Sequence, residues 1–298
     1  MGRWNARRGR GLTLYQSYRP MRPMMTDSPT RPGHLPDYTN PPLTEVVLGV
    51  QFAPATGYQQ IRAGEVWRLY QSEFPFVEEQ QPLAPAFESF GLPFQANAVA
   101  FGLVAGAVHD RFWFVSRERD ELIQFQQDRL MHNWRKVGAD SGLYPRFENI
   151  LPRFAKELEA LESYFGTLAP QTLKCNQAEI SYINLINLAD GGIQTTVGKW
   201  IRILDFKNLE PDECTIVLRR ALIGTNGKRY GRLTCELKSG PHPGGERAIV
   251  LALTVRGAPE EPSISSALEL LKRGRDLIVE EFTSITTDSA HEIWGRVR

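Results

Sequence analysis

The stretch that most restricts the fold is Leu122 to Lys136, LIQFQQDRLMHNWRK, where Gln124, Gln126, Gln127, Asp128, Arg129, His132, Asn133, Arg135 and Lys136 interrupt a run of strand character. A strand that only closes a core alternates apolar residues with solvated ones. Here amide, imidazole, guanidinium and indole groups crowd one ribbon between two apolar elements, so they need partners, from the protein's own backbone or from a ligand. Read as one strand over residues 122 to 134, the ribbon puts Gln124, Gln126, His132 and Trp134 on one face by parity. As function, Gln124, Gln126, Arg129, His132, Asn133, Trp134 and Arg135 describe a pocket or partner surface that offers donors to an anionic or amide-bearing group. As structure, they describe a polar network that fixes the hairpin to the following helix, a reading of at least equal weight.

The elements around the ribbon predict an α+β fold. Val46, Leu48, Val50 and Phe52 alternate with Glu45, Gly49 and Gln51, which gives a strand over residues 44 to 52 with one face buried. Ala63, Trp67, Tyr70 and Phe74 are spaced as a helix stopped by Pro75. After a loop with Pro82, Pro85 and Pro93 come strand candidates near residues 95 to 105, 111 to 116 and 122 to 134, the last two joined by a charged hairpin loop at Arg117 to Glu121. A helix from Pro145 to Phe165 carries Phe147, Ile150, Leu151, Phe154, Leu158, Leu161 and Phe165 on one face, with Pro152 expected to kink it or mark a restart.

The second half repeats the order. Strands are expected at residues 177 to 188, 215 to 223, 232 to 238 and 247 to 256, with a short helix at 197 to 204. A last long helix is capped by Ser263 or Ser266, with the stripe Ile264, Ala267, Leu268, Leu271, Ile278, Phe282 and Ile285. Each half therefore reads strand, helix, three strands, helix. This is a single α+β domain over residues 41 to 298, made of pseudo-repeated halves (41 to 170 and 171 to 298) whose antiparallel strands join edge to edge with helices on one face. At the C-terminus, Thr287 or Asp288 caps a short helix carrying His291 and Trp294, and Gly295 ends it.

Residues 1 to 40 read differently. Pro20, Pro23, Pro29, Pro32, Pro36, Pro41 and Pro42 break any periodicity, so this basic leader is expected to be disordered and to add nothing to the core. A start at Met24 or Met25 is the favoured explanation, and removal of residues 1 to 23 is expected to leave folding unchanged. The leader also hides a charge asymmetry. Six of the 35 basic residues, all arginines, lie in residues 1 to 24 without an acid, so 29 basic residues face 34 acidic ones in the remainder. A mildly acidic body is a poor match for phosphate backbones unless its positive charge forms one patch.

Chemical motifs are sparse. Cys175, Cys214 and Cys235 are far apart and form no C-x-x-C, so neither a disulfide framework nor a zinc site is expected. His34, His109, His132, His242 and His291 are scattered, with no H-E-x-x-H, and no G-x-S-x-G elbow occurs. Gly224 to Gly227 has the form of an RNA-binding G-x-x-G, but strand character on both flanks makes Asn226-Gly227 a two-residue hairpin turn instead. Gly191-Gly192 and Gly244-Gly245 read as turns. No metal, cofactor or membrane span is called for, and a soluble cytoplasmic location is expected.

Several segments together resemble an uncharacterised, sporadically distributed bacterial family. They are NPPLTEVVLGVQF from Asn40, LIQFQQDRLMHNWRK, YPRFE from Tyr144, SYIN from Ser181 and FTSITTDSAHEIWGR from Phe282, and the likeness covers about residues 40 to 298. The resemblance implies no catalytic residues. Its patchy distribution implies a role in conflict or stress systems, such as a toxin-antitoxin or antiphage locus. The leading expectation is a non-enzymatic binding protein that takes an unknown protein partner or small ligand through Gln124, Gln126, Arg129, His132, Asn133, Trp134, Arg135, His291 and Trp294. The alternatives are a hydrolase or nuclease with His132 or His291 as general base, and a nucleic-acid-binding protein with Arg129, Arg135, Lys136, Arg219 and Arg220 on one basic face.

Overall fold

The computed structural model describes residues 31–90, 110–138, 144–189, 195–202, 211–241 and 246–298. Among them, nine strands form one antiparallel sheet: β1 (Leu43–Phe52), β2 (Phe76–Gln80), β3 (Arg111–Val115), β4 (Glu121–Gln126), β5 (Arg129–Arg135), β6 (Cys175–Asn187), β7 (Cys214–Ile223), β8 (Arg229–Pro241) and β9 (Arg247–Gly257). Their order is β2-β3-β4-β5-β1-β6-β9-β8-β7. The described helices are α1 (Ala63–Tyr70), α2 (Phe147–Leu168), α3 (Ile264–Ile285) and α4 (Asp288–Ile293). The expected α+β class is thus observed. The topology is symmetric about the β1/β6 junction, since β3-β4-β5-β1 on one side mirrors β7-β8-β9-β6 on the other.

Alternation decides which face carries the helices. Val46, Leu48, Val50 and Phe52 of β1 and Ala178, Ile180, Tyr182 and Ile186 of β6 join one core cluster with the apolar stripes of α1, α2 and α3. Helix α3 comes close to the sheet at Gly274, where a Cβ would lie 2.7 Å from Ile180 Cγ2. All seven residues expected on the buried face of α2 are buried, and the helix runs unbroken through Pro152. Of the alternative caps, Ser263 accepts from the Ser266 N–H and Thr287 from that of Ala290, which satisfies donors that each first turn leaves free. Cys235 is buried as expected; burial pushes its thiol up to about 11 and that of Cys175 to about 12.

Several expectations are corrected. The ribbon is not one strand but a hairpin, with Gln127 and Asp128 between β4 and β5. β2 is a strand that the alternation rule does not pick out, since Phe76 and Val77 precede Glu78 and Glu79 without alternation. Of the helix expected at 197 to 204, residues 197–202 are described and hold a 3-10 turn over Val197–Lys199, while 203 and 204 lie outside the described residues. The Asn226-Gly227 turn is longer than two residues: the Gly224 N–H donates to the Lys228 carbonyl, with Gly227 at φ 74°. This is the three-residue hairpin loop whose left-handed position suits glycine. The candidates at 95 to 105, Gly191-Gly192 and Gly244-Gly245 lie outside the described residues.

The leader boundary is also corrected. Residues 1 to 30 lie outside the described residues, but Leu35 (0 % exposed) and Tyr38 (6 %) are core residues. Tyr38 bridges to Arg296, and the Thr39 and Asn40 N–H groups donate to the carbonyls of Gly295 and Trp294. Two large apolar groups and a docked backbone thus hold this Pro-rich piece against the C-terminus. Among the described residues, no helix is long and apolar enough to cross a membrane.

Candidate functional site

Register splits the polar ribbon between the two faces of the sheet. In the β4/β5 hairpin Gln126 pairs with Arg129, Gln124 with Met131, Ile123 with His132 and Glu121 with Trp134. The two-residue turn makes even positions of β4 oppose odd positions of β5, and directly opposed residues share a face. Gln124, Gln126, Arg129, Asn133 and Arg135 therefore lie on the outer face, away from the helices, while His132 and Trp134 point into the helical core. The single face expected from parity for Gln124, Gln126, His132 and Trp134 does not form.

On the core side, His132 is fully buried, and its Nδ1 lies 3.0 Å from both carboxylate oxygens of Glu157 on α2. Phe74 and Phe154 flank the ring, and Nε2 has no partner among the described residues. Trp134 is tilted against Tyr144, with ring centroids 5.0 Å apart. Neither faces a cleft. His291 and Trp294 are buried in the C-terminal cap instead, where His291 also borders an open groove lined by Asp288, Glu292 and Arg296. Trp294 stacks on Trp200 at 5.8 Å and is tilted against Phe282 at 5.3 Å, and His291 Nε2 lies 2.7 Å from Thr286 Oγ1.

Thr286, His291 and Asp288 have the residue types of a hydrolytic triad without its geometry. The Thr286 hydroxyl is fully buried and donates to the Phe282 carbonyl at 2.6 Å. Asp288 turns to Arg202 at 2.6 Å and lies 3.7 Å from His291 Nδ1. The Thr286 hydroxyl is thus not presented to a substrate, and the trio is a helix-end clasp.

The outer-face groups form two connected networks. Arg111 and the Trp113 indole both donate to Gln124 Oε1 (2.6 and 3.1 Å), Gln124 donates to Asn133 (2.9 Å), and Asn133 donates to Glu45 (2.6 Å). Arg135 donates to the Arg119 carbonyl at the hairpin mouth, 6.0 Å from the Trp113 ring centroid. The second network holds residues 81–90, a Pro-rich strap across the sheet. Gln126 accepts from the Leu83 N–H (2.8 Å) and donates to its carbonyl (2.9 Å), and Arg129 donates to the Ala84 carbonyl (3.1 Å). Gln51 accepts from the Ala86 N–H (3.0 Å), and Arg232 donates to the Ser89 carbonyl (2.9 Å). Arg129 is itself held by both carboxylate oxygens of Asp128, at 3.0 and 3.1 Å.

Between strap and sheet lies a cavity of about 220 Å³. Gly49 and Met131 lie on its sheet side, Leu83, Ala84 and Ala86 on its strap side, and Gln51, Arg129, Gln177, Glu179 and Arg256 also line it. The charges are paired, Arg129 with Asp128 and Arg256 with Glu179. The Gln177 side-chain carbonyl is buried without a partner among the described residues. Sequence reasoning missed Gln51, Gln177, Glu179 and Arg256, which look like the ordinary outward positions of alternating strands; the Gly49 gap in β1 was the available signal. Among the described residues, no group of three His, Cys, Asp or Glu side chains is placed to hold a metal.

Fold and site together define an antiparallel α+β protein with a strap-covered cavity on the helix-free face of its sheet. No family model matches the chain. A search of curated proteins likewise finds no match.

Proposed function

We propose that this chain is a non-enzymatic binding protein whose outer sheet face seats an extended peptide segment or a small amide, with the cavity beneath the strap as the seat. One observation carries the reading: Gln51, Gln126, Arg129 and Arg232 bond to backbone groups of an extended segment lying on that face. Contacts of this kind read a main chain and tolerate many side chains. The unpartnered Gln177 carbonyl needs an N–H or O–H donor, because a buried acceptor left unbonded costs on the order of 1–3 kcal/mol. With the wall charges paired, a neutral amide satisfies the site better than an ion does.

The two alternatives have less support. A general base must reach substrate, whereas His132 is sealed in the core and the His291 Nε2 is taken by Thr286. A nucleic-acid face needs contiguous cations, whereas Arg129 is neutralised by Asp128 and Arg219 and Arg220 sit on β7, five strands from β5. The resemblance to a sporadically distributed family extends the proposal to a conflict or stress locus. Gene neighbourhood is the observation that bears on it.

The test is a titration of acetyl-Ala-Ala-amide followed by heteronuclear NMR. Shifts are expected at the backbone amides of Gly49, Ala84 and Ala86 and at the Gln177 side chain, and they should vanish in Gly49→Leu, which fills the seat. Gln177→Leu should weaken binding with little change in melting temperature. Arg129→Ala is a poor probe, because it strands the buried Asp128 carboxylate at a cost of about 3–5 kcal/mol. Saturating peptide without shifts at these positions would remove the proposal.

A further inference from the structure

We infer that β7 is a dimerisation edge, along which two copies of this chain pair antiparallel and continue the sheet from one molecule into the next. This goes beyond the binding reading and does not depend on the cavity. Strand β7 is ten residues long and ends the sheet, and among the described residues no strand pairs with its outer side. Such a strand offers a row of unpaired N–H and C=O groups to another chain, and proteins that stay monomeric blunt these edges with proline, charge or shortness.

The opposite edge is blunted in that way. β2 has five residues, lies between Pro75 and Pro82, and carries Glu78 and Glu79. β7 has no proline and leaves Val217, Leu218 and Ile223 38 %, 45 % and 63 % exposed. One end of the sheet is closed to pairing and the other is open to it.

Charge selects the occupant and the register. Arg219 lies on the outer face of β7 opposite Thr234, and Glu213, which directly precedes β7, lies against Gly240 on that same face; neither has an ion-pair partner among the described residues. Six residues apart, they are separated by about 20 Å along the strand and cannot meet within one chain. In an antiparallel pair of β7 strands with Ile216 on the two-fold axis, Glu213 of each copy lies opposite Arg219 of the other. Registers centred on Arg219 or Arg220 would instead place guanidinium against guanidinium, which is unfavourable for directly opposed residues. A two-fold axis perpendicular to the sheet is self-complementary and keeps both helix layers on one side, as the β1/β6 junction already does within the chain.

The test uses the full chain. Light scattering coupled to gel filtration should give twice the chain mass. Arg219→Glu should weaken association by about tenfold or more through two lost and two repulsive contacts, with an unchanged circular dichroism spectrum. The double variant Glu213→Arg with Arg219→Glu should restore the dimer. In a Cys214→Ser background, Ile216→Cys should give a disulfide-linked dimer under mild oxidation and Ile223→Cys should not. A wild-type chain that stays at single mass on concentration overturns the inference, as does a dimer indifferent to Arg219→Glu.

Discussion

His291 has both ring nitrogens committed: Nε2 meets the Thr286 hydroxyl at 2.7 Å, and Nδ1 faces Arg296 at 3.4 Å and Asp288 at 3.7 Å. Thr286 gives its own proton to Phe282, so the imidazole must donate from Nε2, which leaves Nδ1 bare in the neutral form. Burial, followed by the Arg296 charge, holds the His291 pKa below its ordinary value, with Asp288 opposing. The unfolded chain therefore takes up this proton more readily. The histidine's contribution to stability is complete above a pH of about 6.5 and declines as pH falls through that value toward the folded pKa, by at most ~1.4 kcal/mol per pH unit. The melting-temperature advantage of wild type over His291→Gln should shrink on acidification from neutral pH. An advantage that grows would contradict the assignment. This residue also shows what single positions cannot reveal. The sequence marks His291 and Trp294 as chemically capable, but their roles follow from Tyr38, Trp200 and Phe282, which lie far away in the chain.

At the scale of elements, the close contact between β8 and β9 rests on two glycines. Gly231 and Gly257 are register partners, and a Cβ on Gly257 would lie 2.5 Å from the Tyr230 carbonyl oxygen, a backbone atom that cannot swing aside. Gly257→Ala should cost about 2 kcal/mol or more, in the range of overpacked interiors. Gly64 in α1 has nothing within 4 Å of its absent Cβ, so Gly64→Ala should be neutral or stabilise by up to about 1 kcal/mol. Denaturant midpoints of the two variants should move in opposite directions or differ sharply, and equal shifts would place the tight contact elsewhere. Elements with strong periodicity were legible: the stripe of α2, the alternation in β1 and β6 and most of the stripe of α3 follow from apolar spacing alone, although in α3 Ile264 and Leu268 are only partly buried while Leu270 and Val279 join the core. The hairpin at residues 121 to 135 was not, because face depends on where the turn falls. Moving the pairing by one residue sends Gln124 and His132 to the same side or to opposite sides. The strap was illegible for a related reason. Its prolines announce a loop, and nothing local says that Gln126 and Arg129, some forty residues on, bond to its backbone.

For the whole molecule, the class was legible because two runs of the same element order imply two half-sheets, and half-sheets of this kind protect their inner edges by joining. What composition could not reveal is that the two ends of the described chain also close on each other. Tyr38 lies edge-on to Phe282, His291 and Trp294, its hydroxyl is 2.9 Å from Thr283 on α3, and the Val297 N–H returns to the Asp37 carbonyl. Leu35 beside it is wholly buried. If this clasp belongs to the cooperative core, Leu35→Ala should cost about 2–5 kcal/mol and Tyr38→Ala about 3–5 kcal/mol. Tyr38→Phe, which keeps the ring and loses one hydroxyl contact, should cost only about 1 kcal/mol. Because Tyr38 and Trp294 touch, the double variant Tyr38→Ala with Trp294→Ala should cost less than the two single changes together. Additive losses would mean that the rings act separately. Losses under about 0.5 kcal/mol at both Leu35 and Tyr38, the range of ordinary surface changes, would return residues 31 to 40 to the role of a peripheral leader.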